Sequence, residues 1–268
     1  MEGIDIAGVG APRIDWDQLR RSGRSFVFAR ACYKMTPDRA FADYWPAIKE
    51  AGLVRGAYLF WDPRLDPQDV SRRFFDVVGP LGGGDLPPVI DVEFPNGIAT
   101  TGLSRDQVLN NLRAVVAAFE AHLQISPFIY TSRRVWVEEL GNPRNTGLAR
   151  CPLWVARYSP TEPPCPDEWG NGNWWVHQYA GDSTNVPGVS GKADVDRFNP
   201  IKEGDTGARV AFVRTKLLLP SEGSFDETVL DAVHELQRAH GLSVDGVIGP
   251  VTWSHLVWQT GDPTHTTT

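Results

Sequence analysis

The sequence predicts an α/β fold: an irregular β/α (TIM-like) barrel with helices mainly in its first half, joined to a small all-α domain of three helices. Three observations predict it. Eight short apolar runs, rich in β-branched and aromatic residues, are each bounded by turn signals. Amphipathic helical patterns lie between the early runs, and strands alternating with helices imply a parallel sheet that eight members can close. Around Pro200–Gly204 the character changes to helical periodicity alone.

The predicted strands are Gly3–Ala7, Ser25–Cys32, Val54–Trp61, Leu86–Phe94, Ser126–Ser132, Pro152–Ser159, Trp174–Ala180 and Ala193–Phe198. Between the early ones, Asp15–Ser22, Phe41–Ala51, Pro67–Val78 and Ser104–His122 carry apolar residues at three-to-four spacing. Ser104 with Gln107 forms a capping box for the longest helix. The alternation then fades. Residues 133–140 hold one short helix, whereas Pro160–Gly172 and Gly181–Lys192 are rich in Pro, Gly and Asn and predict loops with some antiparallel pairing. Beyond Gly204, Val210–Leu219 and Glu227–His240 read as amphipathic helices, and a last short helix runs through Val257. Gly223–Val233 and Asp245–Leu256 each read as a turn followed by a helix start. The expected division is a catalytic barrel over 1–200, a helical domain over 201–259 and a disordered polar tail over 260–268.

Composition narrows the function. A formal net charge of −7 argues against nucleic acid, which needs a basic footprint. No apolar run approaches the roughly 20 residues of a membrane span, so no membrane partner is expected. The opening Met1-Glu2-Gly3-Ile4-Asp5 enters a strand pattern with no basic and apolar leader, so a signal peptide is expected to be either absent or already removed. Cys32, Cys151 and Cys165 are too scattered for a disulfide framework or a zinc site; Cys151 and Cys165 either bridge a proline-rich loop or remain thiols. The sequence carries 10 Trp and 6 Tyr, which serve core packing and also offer flat faces on which sugar rings stack.

The sharpest feature is Pro87-Pro88-Val89-Ile90-Asp91-Val92-Glu93-Phe94. On a strand, Val89, Asp91 and Glu93 share one face and Ile90, Val92 and Phe94 the other. The first face points to the barrel axis, placing two acids with Cα atoms about 6–7 Å apart at the strand's C-terminal end, where barrel enzymes keep their chemistry. Inward acids are costly unless paired, hydrated or used. No basic residue flanks them for a structural ion pair, and no histidine accompanies them for a metal. The pair suits glycosidic hydrolysis, in which one carboxyl stays protonated beside an ionised neighbour. Glu93, nearer the mouth and beside Phe94, is the better candidate for a raised pKa. Asp5 on the first strand and Asp194 on the last should meet beside this pair, because those strands are neighbours in a closed barrel.

Over residues 3–199 these motifs resemble the glycoside hydrolase family 25 (Chalaropsis-type) lysozymes. The resemblance rests on Gly3-Ile4-Asp5, Ile14-Asp15-Trp16, Phe26-Val27, Ala51-Gly52-Leu53 through Gly56-Ala57-Tyr58, and Asp91-Val92-Glu93. Ile129-Tyr130-Thr131-Ser132, Leu153-Trp154-Val155-Ala156, His177-Gln178-Tyr179 and Asp194-Val195-Asp196-Arg197-Phe198 continue it. It implies N-acetylmuramidase activity, hydrolysis of the β-1,4 bond between N-acetylmuramic acid and N-acetylglucosamine in bacterial peptidoglycan. Glu93 then aligns with the general acid, and Asp91, Asp5 and Asp194 with the other active-site carboxylates. Tyr58, Trp61, Tyr130, Trp154, Tyr158, Gln178 and Tyr179 are the expected substrate-binding residues, with no cofactor and no metal, in a monomer. Departures occur at Ala7, at Leu59 after Tyr58, at Lys34-Met35 and at His177; they bear on substrate preference and rate.

The C-terminal segment resembles the peptidoglycan-binding domain of wall hydrolases, through Gly204-Asp205-Thr206-Gly207, Leu236-Gln237, Gly241-Leu242 and Val244-Asp245-Gly246-Val247-Ile248-Gly249-Pro250 with Thr252-Trp253. Its implied role is a tether that raises effective concentration at the insoluble wall. Action at the bacterial cell wall is expected, either as an extracellular enzyme or autolysin or as a phage endolysin released from the host cytoplasm. A non-catalytic wall-binding protein on the same fold is the second reading, disfavoured by the presence of all four acids.

Overall fold

A computed structural model describes residues 1–8 and 12–259. The tail over 260–268, expected to be disordered, lies outside the described residues. Eight strands close a barrel: β1 (Glu2–Ile6), β2 (Arg24–Tyr33), β3 (Val54–Phe60), β4 (Val89–Asp91), β5 (Phe128–Ser132), β6 (Leu153–Ala156), β7 (Trp174–Ser183) and β8 (Ala193–Phe198). Strands β1 to β7 pair in parallel in that order. Strand β8 runs antiparallel between β7 and β1 and completes the ring, with Asp5 opposite Asp194.

Helices α1 (Trp16–Arg21), α2 (Phe41–Glu50), α3 (Pro67–Val78) and α4 (Arg105–Leu123) cover the first half. Ser104 caps α4 through the expected capping box, and Asp66 caps α3. In the second half a single π-helical turn at Arg134–Glu139 and loops replace helices. Strand β7 runs on to Ser183, into a stretch expected to be loop, because Ala193 of β8 pairs with Ser183 there.

Strand β4 is shorter than the predicted Leu86–Phe94. Pro87 and Pro88 offer no N–H to a ladder, and β3, its neighbour, ends at Phe60 opposite Asp91. The side-chain alternation nevertheless persists. Ile90, Val92 and Phe94 pack under the helices, while Val89 joins the barrel interior.

That interior is a plug of aromatic rings. Phe28 stacks on Trp154 at 4.4 Å between centroids, and Tyr130 meets Trp154 edge-on at 4.7 Å. Two glycines make room for it. A Cβ on Gly3 would lie 2.4 Å from the Phe26 ring, and one on Gly56 2.3 Å from the Phe28 ring. Both positions need the absence of a side chain rather than an unusual backbone.

Helices α5 (Ala208–Lys216), α6 (Glu227–Ala239) and α7 (Pro250–Leu256) form the C-terminal region. The buried Gln237 organises its last turn, its carbonyl oxygen accepting from the N–H groups of Asp245 and Gly246 at 3.0 Å each. This region is docked on the barrel rather than strung from it. Trp253 packs against Trp175, at the start of β7, with ring centroids 4.0 Å apart and planes tilted by 35°, and the Trp258 indole donates to the Asp85 carbonyl at 2.7 Å. One apolar cluster therefore runs from Phe26 and Phe198 in the barrel to Val233 and Trp253 in the helices. The helices close the barrel at the end opposite the C-terminal ends of the parallel strands. Cys32, Cys151 and Cys165 are free and buried, so the bridge between the last two is not formed.

Candidate active site

Three strands deliver four acids to one mouth. Asp5 lies near the end of β1 and Asp91 ends β4. Glu93 follows two residues on, continuing the inward alternation. Asp194 lies near the start of β8, and because that strand is antiparallel its start faces the same end. All four line a cavity of about 370 Å³ together with Arg30, Tyr58, Tyr130, Trp154, Tyr158 and Gln178.

Gln178 ties the cluster together. Its amide nitrogen donates to Asp5 Oδ2 at 2.7 Å and Asp194 Oδ2 at 3.2 Å, while its oxygen accepts from the Tyr130 hydroxyl at 2.8 Å. The Asp182 N–H donates to Asp194 at 2.7 Å, and the Trp154 indole donates to Asp196 at 2.9 Å. Asp91 Oδ1 and Asp196 Oδ2 are buried without a protein partner. A structural ion-pair role for these acids fails on geometry, since Arg30, the base that lines the cavity, is engaged by Asp38 at 2.8 Å.

Burial and mutual repulsion raise every acid here. Desolvation, then the Asp194 charge, lifts Asp5 well above the ordinary carboxylate value. Desolvation, then Glu93 and Asp5, does the same to Asp91. Glu93 is raised by desolvation, held back by the Tyr130 hydroxyl and the Arg134 charge. Asp194 is raised by desolvation and by Asp182. Glu93, the expected bearer of a raised pKa, is raised, and Asp91 is raised beside it. Asp91 sits deeper, at 6% exposure, with an orphaned oxygen, whereas Glu93 is half-buried and has favourable partners. Such neighbours titrate as a coupled set, in which each ionised carboxylate disfavours ionisation of the next.

Of the expected substrate-binding residues, Tyr58, Tyr130, Trp154, Tyr158 and Gln178 line the cavity; Tyr158, 67% exposed, stands at its rim against Gly181. Two do not. Trp61 is 2% exposed within the helix-side core and reaches only a neighbouring cavity. Tyr179 follows the inward Gln178, so the strand period turns it outward, where its hydroxyl donates to Glu2. Arg30 and Asp196 were missed as site residues. Both were readable: Arg30 is a charge in phase with the interior Phe26 and Phe28, and Asp196 lies two residues beyond Asp194. Among the described residues no His, Cys, Asp and Glu group is arranged to hold a metal ion, and no helix is long and apolar enough to cross a membrane.

A β/α barrel with crowded carboxylates of raised pKa in an aromatic-walled cleft defines the glycoside hydrolase class. The chain belongs to glycosyl hydrolases family 25, whose model matches residues 4–189. A peptidoglycan binding domain model matches residues 215–256. Lysozyme M1 of Streptomyces globisporus is 30% identical over 210 residues, 74% of this chain and 68% of that protein. The autolytic lysozyme of Clostridium acetobutylicum is 29% identical over 256 residues, 94% of this chain and 70% of its own length. A bacterial lysozyme from Streptomyces coelicolor superposes with a TM-score of 0.68 at 28% identity, covering 74% of this chain and 92% of that one. The muramidase from Acremonium alcalophilum gives 0.66 at 30% identity, over 74% and 93%.

Proposed function

We propose that the chain is an N-acetylmuramidase that cleaves the β-1,4 bond between N-acetylmuramic acid and N-acetylglucosamine in bacterial peptidoglycan. Glu93 is assigned as the general acid that protonates the departing sugar oxygen. The observation that carries this assignment is its position: Glu93 lines both the acid-rich cavity and its neighbour, while the other three acids line the first alone. A proton donor belongs between the sugar that gains positive charge and the sugar that leaves. Asp91, beneath that first sugar, stabilises its developing charge directly or by orienting its N-acetyl group. Asp5 and Asp194, fixed by Gln178, complete the negative field.

The proposed division is a catalytic unit over 1–200 and a wall-binding unit over 201–259, acting as a monomer. Proposed delivery is as a secreted autolysin or a phage lysin, a setting supported by the similarity to an autolytic lysozyme. The test digests defined peptidoglycan with wild type and Glu93→Gln and identifies the new reducing ends. New muramic-acid ends from the wild type alone support the reading; glucosamine ends, or cleaved stem peptides, overturn it.

A further inference from the structure

Beside the acid-rich cavity lies a second of about 290 Å³, and Phe60 and Glu93 line both. The two halves differ in charge. Asp5, Asp91, Glu93, Asp182 and Asp194 line the first against Arg30 alone, whereas Lys34 and Arg64 line the second with Asp62 and Glu93. Lys34 Nζ lies 3.0 Å from Asp62 Oδ2, and Arg64 holds both oxygens, with Nε at 2.8 Å and Nη2 at 2.5 Å. Two cations thus share one carboxylate, and the cavity carries a net positive charge whenever Glu93 holds its proton.

These cations remain available to a ligand. The Lys34 and Arg64 side chains are 35% and 51% exposed, while Asp62, at 7%, forms a buried base beneath them. Lys34 also adopts a left-handed backbone, φ 58°, which a residue with a side chain rarely takes. Its N–H is anchored to the Phe60 carbonyl at 2.8 Å, which holds it over the second cavity. Such conformations persist where surrounding structure enforces them and gather at ligand-binding sites.

We infer that Lys34 and Arg64 form an anion-binding subsite on the leaving-group side of Glu93, which recognises an acidic substituent carried by the glycan chain. The inference rests on the muramidase reading, because the second cavity is the leaving-group side only if Glu93 is the proton donor. Two wall components supply such anions. Stem peptides on muramic acid carry carboxylates, and attached wall polymers carry phosphodiesters. An exposed cation pair over a buried carboxylate recognises either through charge-assisted hydrogen bonds.

The experiment compares kcat/KM on three substrates: peptide-free glycan, peptide-bearing glycan stripped of wall polymer, and peptide-bearing glycan that retains it. Lys34→Gln and Arg64→Gln are used singly, so that Asp62 keeps one basic partner, and melting temperature is recorded for each. The wild type is expected to prefer an acid-bearing substrate over bare glycan. Each variant should cut that preference about tenfold, equivalent to about 1.4 kcal/mol, through KM rather than kcat. Lys34→Arg should restore it. Loss of preference between the first two substrates identifies the peptide carboxylates; loss only between the last two identifies the phosphodiester. No wild-type preference, or variants that slow all three substrates equally, overturns the subsite and leaves the muramidase reading standing. A wild type that releases no reducing ends from any substrate overturns both.

Discussion

Replacing Asp5 by asparagine should stabilise this protein while disabling it. Asp5 and Asp194 accept hydrogen bonds from one Gln178 nitrogen at 2.7 and 3.2 Å. Their bonded oxygens are therefore at most about 6 Å apart, where two unit charges repel by about 3 kcal/mol at an effective dielectric near 20. Partial protonation relieves some of this in the wild type, so a gain of about 2 kcal/mol at pH 7 is expected, or about 4–8 °C in melting temperature. The amide keeps an oxygen for Gln178, and its NH2 meets carboxylates that lack donors. Asp5 and Asp194 both have raised values in the fold. Between the unfolded and the raised values the fold therefore binds more protons than the unfolded chain, and its stability falls as pH rises through that window. The variant escapes part of that fall. Its advantage should grow as pH rises through that window and vanish below about pH 4, where both states are protonated. Calorimetric melting of both proteins between pH 3 and 8 measures this. An advantage that is absent at pH 7, or equal at every pH, would refute a charge origin.

Arg134 holds Glu93 down, so Arg134→Gln should raise the Glu93 pKa further and move the alkaline limb of the kcat/KM profile to higher pH; an unmoved or lowered limb contradicts this. Gly56→Ala forces a Cβ to 2.3 Å from the Phe28 ring, and overpacking of this kind should cost about 1–3 kcal/mol in chemical denaturation. Trp253→Ala removes a fully buried ring packed against Trp175 and should cost about 3–5 kcal/mol. Because that ring covers the barrel's lower end, a chain ending at Pro200 should melt well below the full chain; equal melting of the barrel in both forms would show that the helices only hang from it.

Much of this architecture was legible because the signals were periodic. Alternation at Val89–Phe94 gave the inward placement of Asp91 and Glu93 even where the ladder stops at Asp91. Neighbouring first and last strands put Asp5 opposite Asp194. What was not legible depends on three-dimensional neighbours. Nothing along the chain shows that Trp61 is sealed beneath the helices, or that Gly3 is glycine because the Phe26 ring occupies its side-chain space. The docking of Trp253 on Trp175 joins residues far apart in sequence, so no local pattern shows that the C-terminal helices pack on the barrel. The deeper burial of Asp91 is likewise not legible, because a strand pattern ranks two inward positions poorly.

The account turns on Glu93 holding a proton at the pH where the enzyme works, because partial burial among other acids disfavours its charge. A carboxyl carbon NMR titration of Glu93, in wild type and in Asp194→Asn, measures this directly. The wild type should titrate above the ordinary glutamate value of about 4.3, and the variant closer to it, since the Asp194 charge contributes to the shift. A Glu93 that titrates at or below the ordinary value would contradict the account.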